Sequence, residues 1–348
     1  MKVLQDLSLT ELQDLMQKFG EQKFRAKQIL DNINLAKPIS EYSNISKELK
    51  EKLLAEFYDT PLKIHTVLQG KDGTQKFAYE LADGNIIEGV LMNYKYGNTL
   101  CVSTQIGCRM GCKFCASTLN GLARNLTSGE ILSQVLVVNA YLGGKKDRNR
   151  AITNVVLMGS GEPLDNYDNV IKFIHLLSAP EGLNISPRNI SLSTCGIVPN
   201  IIKLANENLP IVLTISLHAP NDTLRREIMP IANKYSVKQI IDAAREYFNI
   251  TGRRVIFEYA LTDNVNSTPE CARELAKLMH GFPTHVNLIP LNEVEERELK
   301  TVTRKKAEQF ANILESLGVS VTIRRTIGED IGGACGQLRN KIIKNQEV

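Results

Sequence analysis

The first sixty residues carry apolar side chains at helical spacing. Ser8 and Glu11 stand three residues apart, as in a capping box, which predicts that a helix begins after Ser8. Gly20 can end that helix. Apolar residues three and four positions apart mark two successive helices, at Leu12, Leu15, Met16 and Phe19 and again at Ala26, Ile29, Leu30 and Ile33.

The period then changes to that of β-strands. Asp72-Gly73, Asp83-Gly84 and Tyr96-Gly97-Asn98 stand between short alternating segments, which predicts hairpin turns. From about residue 100 onward, strand-like and helix-like segments alternate. The predicted strands are 100–105, 152–158, 189–194, 211–217, 254–261, 284–290 and 319–324, and helices such as 127–142, 236–248, 268–280 and 302–317 lie between them.

This alternation predicts a parallel sheet with outer helices, an α/β fold. In such folds the ligand site forms at the carboxyl ends of the strands. Composition agrees with an ordinary globular protein, since 43% of the residues are hydrophobic and 23% are charged. Tryptophan is absent and aromatics make up 6%, which argues against a broad stacking platform for single-stranded nucleic acid.

The net charge of +4 permits an anionic partner without indicating one. No apolar run is long enough for a bilayer, and no secretory signal is visible, so a cytoplasmic protein without a membrane is expected. Each basic cluster is as compatible with solvated surface as with RNA contact. These clusters are Lys145 through Arg150, Arg225-Arg226, Arg253-Arg254, Arg324-Arg325, and Arg339 through Lys344.

Three of the seven cysteines lie within eight residues. Cys108, Cys112 and Cys115 have the spacing C-x3-C-x2-C, in a loop that also contains Gly107 and Gly111. Three thiolates can hold a [4Fe–4S] cluster and leave one iron without a protein ligand, open to a substrate. Structural zinc, which prefers four ligands, is one alternative, with Cys101 as the fourth. Three buried thiols that serve only packing are another.

Together with Ala334-Cys335-Gly336-Gln337-Leu338 near the end, the cysteine motif resembles the RlmN/Cfr family of radical S-adenosylmethionine (SAM) RNA methyltransferases. The resemblance runs from the N-terminal helices to about residue 340. It implies a partial (β/α)6 radical SAM barrel with a helical accessory domain and a β-hairpin extension. The expected division is 1–60 for the helices, which would contact RNA, 61–98 for the extension and 99–348 for the barrel.

The resemblance also implies an activity. Members of the RlmN branch methylate C2 of an adenine, adenosine 2503 of 23S ribosomal RNA and adenosine 37 of some tRNAs. The implied cofactors are a [4Fe–4S] cluster and two SAM molecules per turnover, with flavodoxin or ferredoxin as electron donor. A monomer is expected.

Site residues carry over from matching motifs. Cys108, Cys112 and Cys115 would hold the cluster. Cys335 would carry the methyl group, Cys101 would be its disulfide partner, and Glu88 would accept a proton. The expected SAM-contacting residues are Gly161, Glu162, Ser193, Ser216, Leu217, His218 and Asn292.

The residues themselves give reasons for these roles. Adenine C2 is a poor nucleophile, so a radical route through a methylated Cys335 avoids direct attack on a sulfonium. Glycines around Cys335 would let it move between two reaction partners. Glu88 shares a strand face with Ile86, Val90 and Met92, where burial would suit a proton acceptor. The alternatives are a surface thiol at Cys335, a solvent-facing edge glutamate at Glu88 and a core cysteine at Cys101. Cys195 and Cys271 are interpreted as packing residues.

Two departures from the family pattern stand out. Gly332 and Gly333 replace a more usual acid and alanine, which would loosen the Cys335 loop, and Ser160 replaces methionine. The nearest rival is a Cfr-type enzyme that methylates C8 of the same adenosine. Pro163, Ala219 and Pro290-Leu291 favour the C2 branch. A non-catalytic RNA-binding protein with structural zinc is a second rival.

Overall fold

The computed structural model describes residues 1–146, 149–291, 294, 296–325, 328–331 and 338. The helices are α1 Leu9–Lys18, α2 Arg25–Asn34, α3 Lys47–Glu56, α4 Ser128–Tyr141, α5 Tyr167–Ser178, α6 Val198–Ala205, α7 Asp222–Ile228, α8 Val237–Thr251, α9 Pro269–Met279 and α10 Arg304–Ser316. The strands are β1 Leu62–Gln69, β2 Gln75–Leu81, β3 Ile86–Tyr94, β4 Gly97–Cys101, β5 Gln105–Gly107, β6 Leu122–Asn125, β7 Ile152–Leu157, β8 Ile190–Thr194, β9 Val212–Ser216, β10 Val255–Leu261, β11 Thr284–Pro290 and β12 Val321–Ile323.

The N-terminal helices pack onto the rest of the molecule. The predicted capping box is confirmed, because Ser8 and Glu11 exchange side-chain and backbone hydrogen bonds at the start of α1. Asp6 reaches the start of α4, where its Oδ1 accepts hydrogen bonds from the Ser128 hydroxyl at 2.7 Å and the Gly129 amide. A carboxylate suits this helix end, where the dipole is positive. The apolar residues of α1 to α3 share one hydrophobic core with the sheet.

Within the described residues, ten strands form a single sheet in the order β1-β2-β3-β4-β7-β8-β9-β10-β11-β12. β1 to β4 are antiparallel, and the predicted hairpin turns are confirmed, with Gly73 and Gly84 at positive φ angles of 86° and 81°. Glycine adopts that backbone region without steric cost. From β4 to β12 every neighbouring pair is parallel. The extension therefore continues the barrel sheet through β4.

The predicted strand at 100–105 differs from the structure. β4 ends at Cys101, and a separate strand, β5, begins at Gln105 and pairs with β6 in a two-stranded antiparallel ladder. Between them, Ser103 leaves the sheet, and the Gln134 side chain binds both its amide, at 2.9 Å, and its carbonyl, at 2.8 Å. A polar side chain on α4 thus replaces the strand partner that this backbone lacks. The break separates the sheet from the cysteine loop.

The α/β radical SAM architecture expected from the sequence is confirmed. The parallel part contains seven strands among the residues described, and the last of them, the short β12, lies within the predicted strand 319–324. One face of the sheet packs against the helices, and the other faces a cavity at the carboxyl ends of the strands. Within the same residues, no helix is both long and apolar enough to span a bilayer.

Candidate active site

Most of the predicted site residues meet around one cavity of about 330 Å³. It lies at the carboxyl ends of the parallel strands, where this class of fold places its ligands. Nine of the predicted residues line it: Cys101, Cys108, Cys112, Cys115, Gly161, Glu162, Ser193, Ser216 and His218. A larger, more open groove of about 990 Å³ lies outside the cysteine loop, but it contains none of the three thiols. Met110 lines both.

The cysteine loop is fixed at several points by its own backbone. The Cys108 amide donates to the Gly121 carbonyl at 2.9 Å, which closes the loop at the end of the β5–β6 ladder. The Lys113 amide donates to Ile228 at the end of α7, also at 2.9 Å. The Thr118 hydroxyl donates to the Cys115 carbonyl at 2.9 Å. The three thiols are therefore held by a short, closed loop.

The chemistry of the three thiols fits an iron–sulfur cluster. Burial raises the pKa of the Cys108 thiol to about 12, and burial also raises the pKa of Cys112, with the neighbouring thiols acting in the same direction. A bound metal centre reverses that preference, because it stabilises the thiolates. In the described part of the chain, no three His, Cys, Asp or Glu side chains are grouped to hold a single metal ion. A cluster instead needs sulfurs arranged around several irons.

The turn after β7 brings backbone and a carboxylate to the cavity. Gly161 has φ of +114°, and a Cβ there would lie 2.7 Å from both Thr104 and Gln105, so only glycine fits. Glu162 is 4% exposed. Its oxygens accept from the amides of Leu164 at 3.0 Å and Cys195 at 2.7 Å. Burial raises the pKa of Glu162, while these hydrogen bonds oppose that rise.

Three further predicted residues line the cavity on β8, β9 and the turn that follows. The hydroxyls of Ser193 and Ser216 lie 3.4 Å apart. His218 adopts φ of +57°, and its Nδ1 accepts from the Ala260 amide at 2.9 Å. The neutral ring therefore has its proton on Nε2. Burial lowers the pKa of His218 to about 3. Leu217 differs, because its side chain packs in the main core and does not line the cavity.

Glu88 lies next to the cavity. It is 4% exposed on β3, two residues before Val90, which lines the cavity. The expected apolar face is only part of its surroundings, because Lys76 Nζ on β2 lies 2.9 Å from Glu88 Oε2. The solvent-facing alternative for Glu88 is therefore wrong. Cys101 ends β4 opposite Val90 and is buried in the cavity wall.

Sequence reasoning missed a buried arginine. The sequence leaves the Arg225-Arg226 cluster open between solvated surface and RNA contact, but Arg225 is 0% exposed. Its guanidinium donates to the carbonyls of Leu217 at 2.9 Å, Cys195 at 2.6 Å and Ser216 at 3.2 Å. It thereby ties together the turns that follow β8 and β9. An Arg-Arg pair carries no signal that distinguishes this role from a solvated surface.

A second missed pair crosses the cavity wall. Glu258 on β10 is 6% exposed, and its Oε1 lies 3.5 Å from Arg324 Nη1, just beyond β12. Burial raises the pKa of Glu258, and the Arg324 charge opposes that rise. Cys195, interpreted as a packing residue, packs near Cys112 and also lines the cavity, whereas Cys271 lies in the core.

Two predicted site residues, Cys335 and Asn292, lie outside the described residues. Leu338, three positions along the chain from Cys335, is described and buried. It packs against Ala78 on β2 and Ile86 on β3. Ala78 lies two positions from Lys76 on β2, and Ile86 lies two positions from Glu88 on β3.

Comparison with known proteins identifies the family. A model of the Radical SAM superfamily matches residues 102–267, and a model of the ribosomal RNA large subunit methyltransferase N-terminal domain matches residues 3–58. A probable dual-specificity RNA methyltransferase RlmN of Clostridium botulinum is 53% identical over 350 residues, covering 100% of this chain and 99% of the relative. The chain belongs to the RlmN family of radical SAM RNA methyltransferases.

Further comparisons agree with this membership. A probable RlmN of Clostridium perfringens is also 53% identical, covering 99% of both chains. A crystal structure of a radical SAM methyltransferase from Sphaerobacter thermophilus has a TM-score of 0.92 and 40% identity, covering 97% of this chain and 99% of that chain. Membership in the radical SAM superfamily implies a [4Fe–4S] cluster and SAM as cofactors.

Proposed function

We propose that this enzyme methylates C2 of adenine, at adenosine 2503 of 23S ribosomal RNA and adenosine 37 of tRNA, through an S-methyl group on Cys335. The observation that supports it most is the convergence of nine motif-matched residues on one cavity. Two SAM molecules would be used per turnover. With ribosomal RNA and tRNA as substrates, the enzyme would act in the cytoplasm, where we expect a monomer that receives electrons from a flavodoxin or ferredoxin.

The roles proposed for the chain's residues are those of the family motifs that they match. When bound, the cluster would supply one-electron chemistry: it would give the electron that cleaves SAM and would later take one electron back. The radical formed by that cleavage would remove a hydrogen atom from the Cys335 methyl group. Gly161, Glu162, Ser193, Ser216, the backbone of Leu217, His218 and Asn292 would hold SAM, and Cys108, Cys112 and Cys115 would hold the cluster. The Cys335 methylene carbon would bond to C2 and join protein to RNA.

Release of the product would need a base and a thiol. Glu88 would accept the C2 proton, because its carboxylate is buried beside the cavity wall with acceptor capacity to spare. Cys101 would lose its thiol proton and attack the sulfur of Cys335, which forms a disulfide and breaks the bond from that sulfur to the methylene carbon. The carbon would keep the electron pair of the broken bond and take up one proton, so the base leaves with a methyl group. Burial of Cys101 in the cavity wall, opposite Val90, supports that assignment.

Aromatic and basic side chains near the cavity support an RNA substrate. Tyr94 and Tyr96 stack with ring centroids 5.0 Å apart, and Tyr96 is 70% exposed. Tyr94 also donates to Met92, which lines the cavity with Arg324 and Arg325. Exposed rings can stack on unpaired bases, and arginines bind phosphates. The target base would leave its own stack to enter.

The experiment is anaerobic reconstitution with iron and sulfide, followed by reaction with SAM, a reductant and RNA fragments containing either adenosine. Mass spectrometry of the digested RNA should find 2-methyladenosine. An 8-methyladenosine product would assign the enzyme to the Cfr branch instead. A colourless protein with zinc and no SAM cleavage would contradict the proposal altogether.

Cys335→Ala is the decisive variant. It removes the methyl carrier and leaves all three cluster thiols in place, so the protein should bind iron and sulfide as the wild type does. Methyl transfer to RNA should fall below detection. Cys271→Ala is the matched control, since Cys271 lies in the core away from the cavity. Methylated RNA from Cys335→Ala would exclude the methylcysteine route.

A further inference from the structure

A fully buried lysine lies beside the proposed base. Lys76 is 0% exposed and Glu88 is 4% exposed. In the β2–β3 ladder, Lys76 is paired with Val90 and Ala78 with Glu88, so the two charged side chains share one face as diagonal neighbours. Lys76 Nζ lies 2.9 Å from Glu88 Oε2. This pair is therefore an ion pair inside the protein.

Burial gives the pair a definite electrostatic consequence. A carboxylate removed from water prefers to be neutral unless an opposite charge lies close by. A protonated glutamate cannot act as a base. The ammonium of Lys76 is the opposite charge, and it favours the ionised form of Glu88. Neither carboxylate oxygen makes an aligned hydrogen bond with a described residue, so lone pairs stay available to a proton.

Hydrogen bonds also connect the backbone of Glu88 to the turn after β7, which contains Ser160 and Gly161. The Ser103 hydroxyl donates to the Glu88 carbonyl at 2.7 Å, and the Ser160 amide donates to the Ser103 hydroxyl at 3.0 Å. Ser160 directly precedes Gly161. The carboxylate is therefore placed relative to the cavity by two hydrogen bonds and by its lysine, rather than by a flexible loop.

We propose that Lys76 is a positioning residue for the reaction, whose charge keeps Glu88 an oriented carboxylate that is ready to take the C2 proton. The inference rests on the proposed function, and in particular on the role of Glu88. In that step the C2–H bond breaks, the proton bonds to a Glu88 oxygen, and the electron pair of the bond stays with the adenine ring. Glu88 then becomes neutral beside a charged Lys76, which favours release of the proton and resets the base.

The test measures the covalent protein–RNA adduct that precedes proton removal. Lys76→Met should retain iron content and SAM cleavage but accumulate adduct on denaturing gels. The ratio of adduct to methylated RNA should rise on the order of a hundredfold, the usual contribution of a general base, and match Glu88→Gln. Lys76→Arg, which keeps the charge, should restore much of the product. Lys63→Met, the same change at an exposed position on β1, should leave the ratio unchanged.

A purely structural lysine predicts something else. Lys76→Met would then lower the amounts of adduct and product together and leave their ratio at the wild-type value, which would overturn the inference. If the wild type forms no methylated adenine, the proposed function itself is wrong. If the wild type is active but Glu88→Gln accumulates no adduct, Glu88 is not the base and the inference fails with it.

A second measurement does not depend on the folding of Lys76→Met. Infrared difference spectra between the wild type and the double variant Lys76→Met/Glu88→Gln report the charge of Glu88 in the resting enzyme. The double variant contains a neutral pair of similar volume, so neither partner is left as an unpaired charge. An ionised carboxylate band is expected. A protonated-acid band in the wild type would refute the proposal.

Discussion

Two glutamates, one in the cavity wall and one next to the cavity, are equally buried and differ in their surroundings. Glu88 and Glu162 are both 4% exposed. Glu162 accepts hydrogen bonds from two backbone amides, and no cation is paired with it among the residues described. Glu88 lies 2.9 Å from a buried ammonium and accepts no aligned hydrogen bond from the described residues.

The difference supports the proposed division of roles, in which Glu162 holds the turns of the cavity and Glu88 accepts a proton. A carboxylate whose lone pairs are occupied by amides fixes the loops that supply them, here the turns after β7 and β8. A carboxylate held by charge alone keeps lone pairs free for a proton. Burial by itself therefore does not distinguish the two carboxylates, and their partners do.

The largest effect on stability is expected at the Glu88 side. Glu88→Gln removes the carboxylate that is paired with the buried Lys76 ammonium, which should lower the free energy of unfolding by about 3–5 kcal/mol. Adding Lys76→Met to Glu88→Gln should recover most of that loss, since the buried ammonium is then removed as well. Urea unfolding of both singles and the double variant, as a double-mutant cycle, measures the coupling. Additive losses would show that the two side chains do not interact.

A smaller effect is expected at the Glu162 side. Glu162→Gln keeps one acceptor oxygen but turns an NH2 group toward a backbone amide, so one buried donor loses its partner. The free energy of unfolding should fall by about 1–3 kcal/mol. Addition of SAM should stabilise this variant less than the wild type in thermal unfolding. An unchanged SAM response would mean that Glu162 only anchors the turns.

The smallest effect is a pH dependence from His218. Its pKa is about 3 in the folded protein and about 6.5 in the unfolded chain, so below pH 6.5 the unfolded chain binds more protons. The contribution of His218 to the free energy of unfolding is therefore fully present above pH 6.5. It is lost as the pH falls below 6.5, by up to about 1.4 kcal/mol per pH unit.

His218→Asn tests this, because asparagine tolerates the positive φ angle and does not titrate here. Urea unfolding at pH 7.5, 6.5 and 5.5 gives the unfolding free energy of the wild type and of the variant. The difference between the two should become smaller as the pH falls, because only the wild type loses the contribution of His218. The raised pKa of Glu162 has the opposite effect, because it lowers stability as the pH rises above the ordinary pKa of a glutamate. Both proteins contain Glu162, so its contribution cancels in the difference between their unfolding free energies. A constant difference would contradict a buried neutral His218.

Prediction from the sequence was most successful for features that depend on residues close together in the chain. Cys108, Cys112 and Cys115 lie in one closed loop, so their spacing alone places three sulfurs together. The hairpin turns at Gly73 and Gly84 were predictable for the same reason, because a local φ angle demands glycine. The break between β4 and β5 was not, since it depends on Gln134 of a helix far along the chain.

The amino-acid order by itself determined the alternation of strands and helices, the thiol loop and the strips that line the cavity, because each depends on contacts between near neighbours. Only the tertiary structure decided that Lys76 meets Glu88, that Arg225 holds two turns together and that Arg324 faces Glu258. The register of a ladder and the packing of distant turns set these contacts. From the sequence alone, a lysine or arginine that the fold buries beside a partner cannot be distinguished from one on the surface.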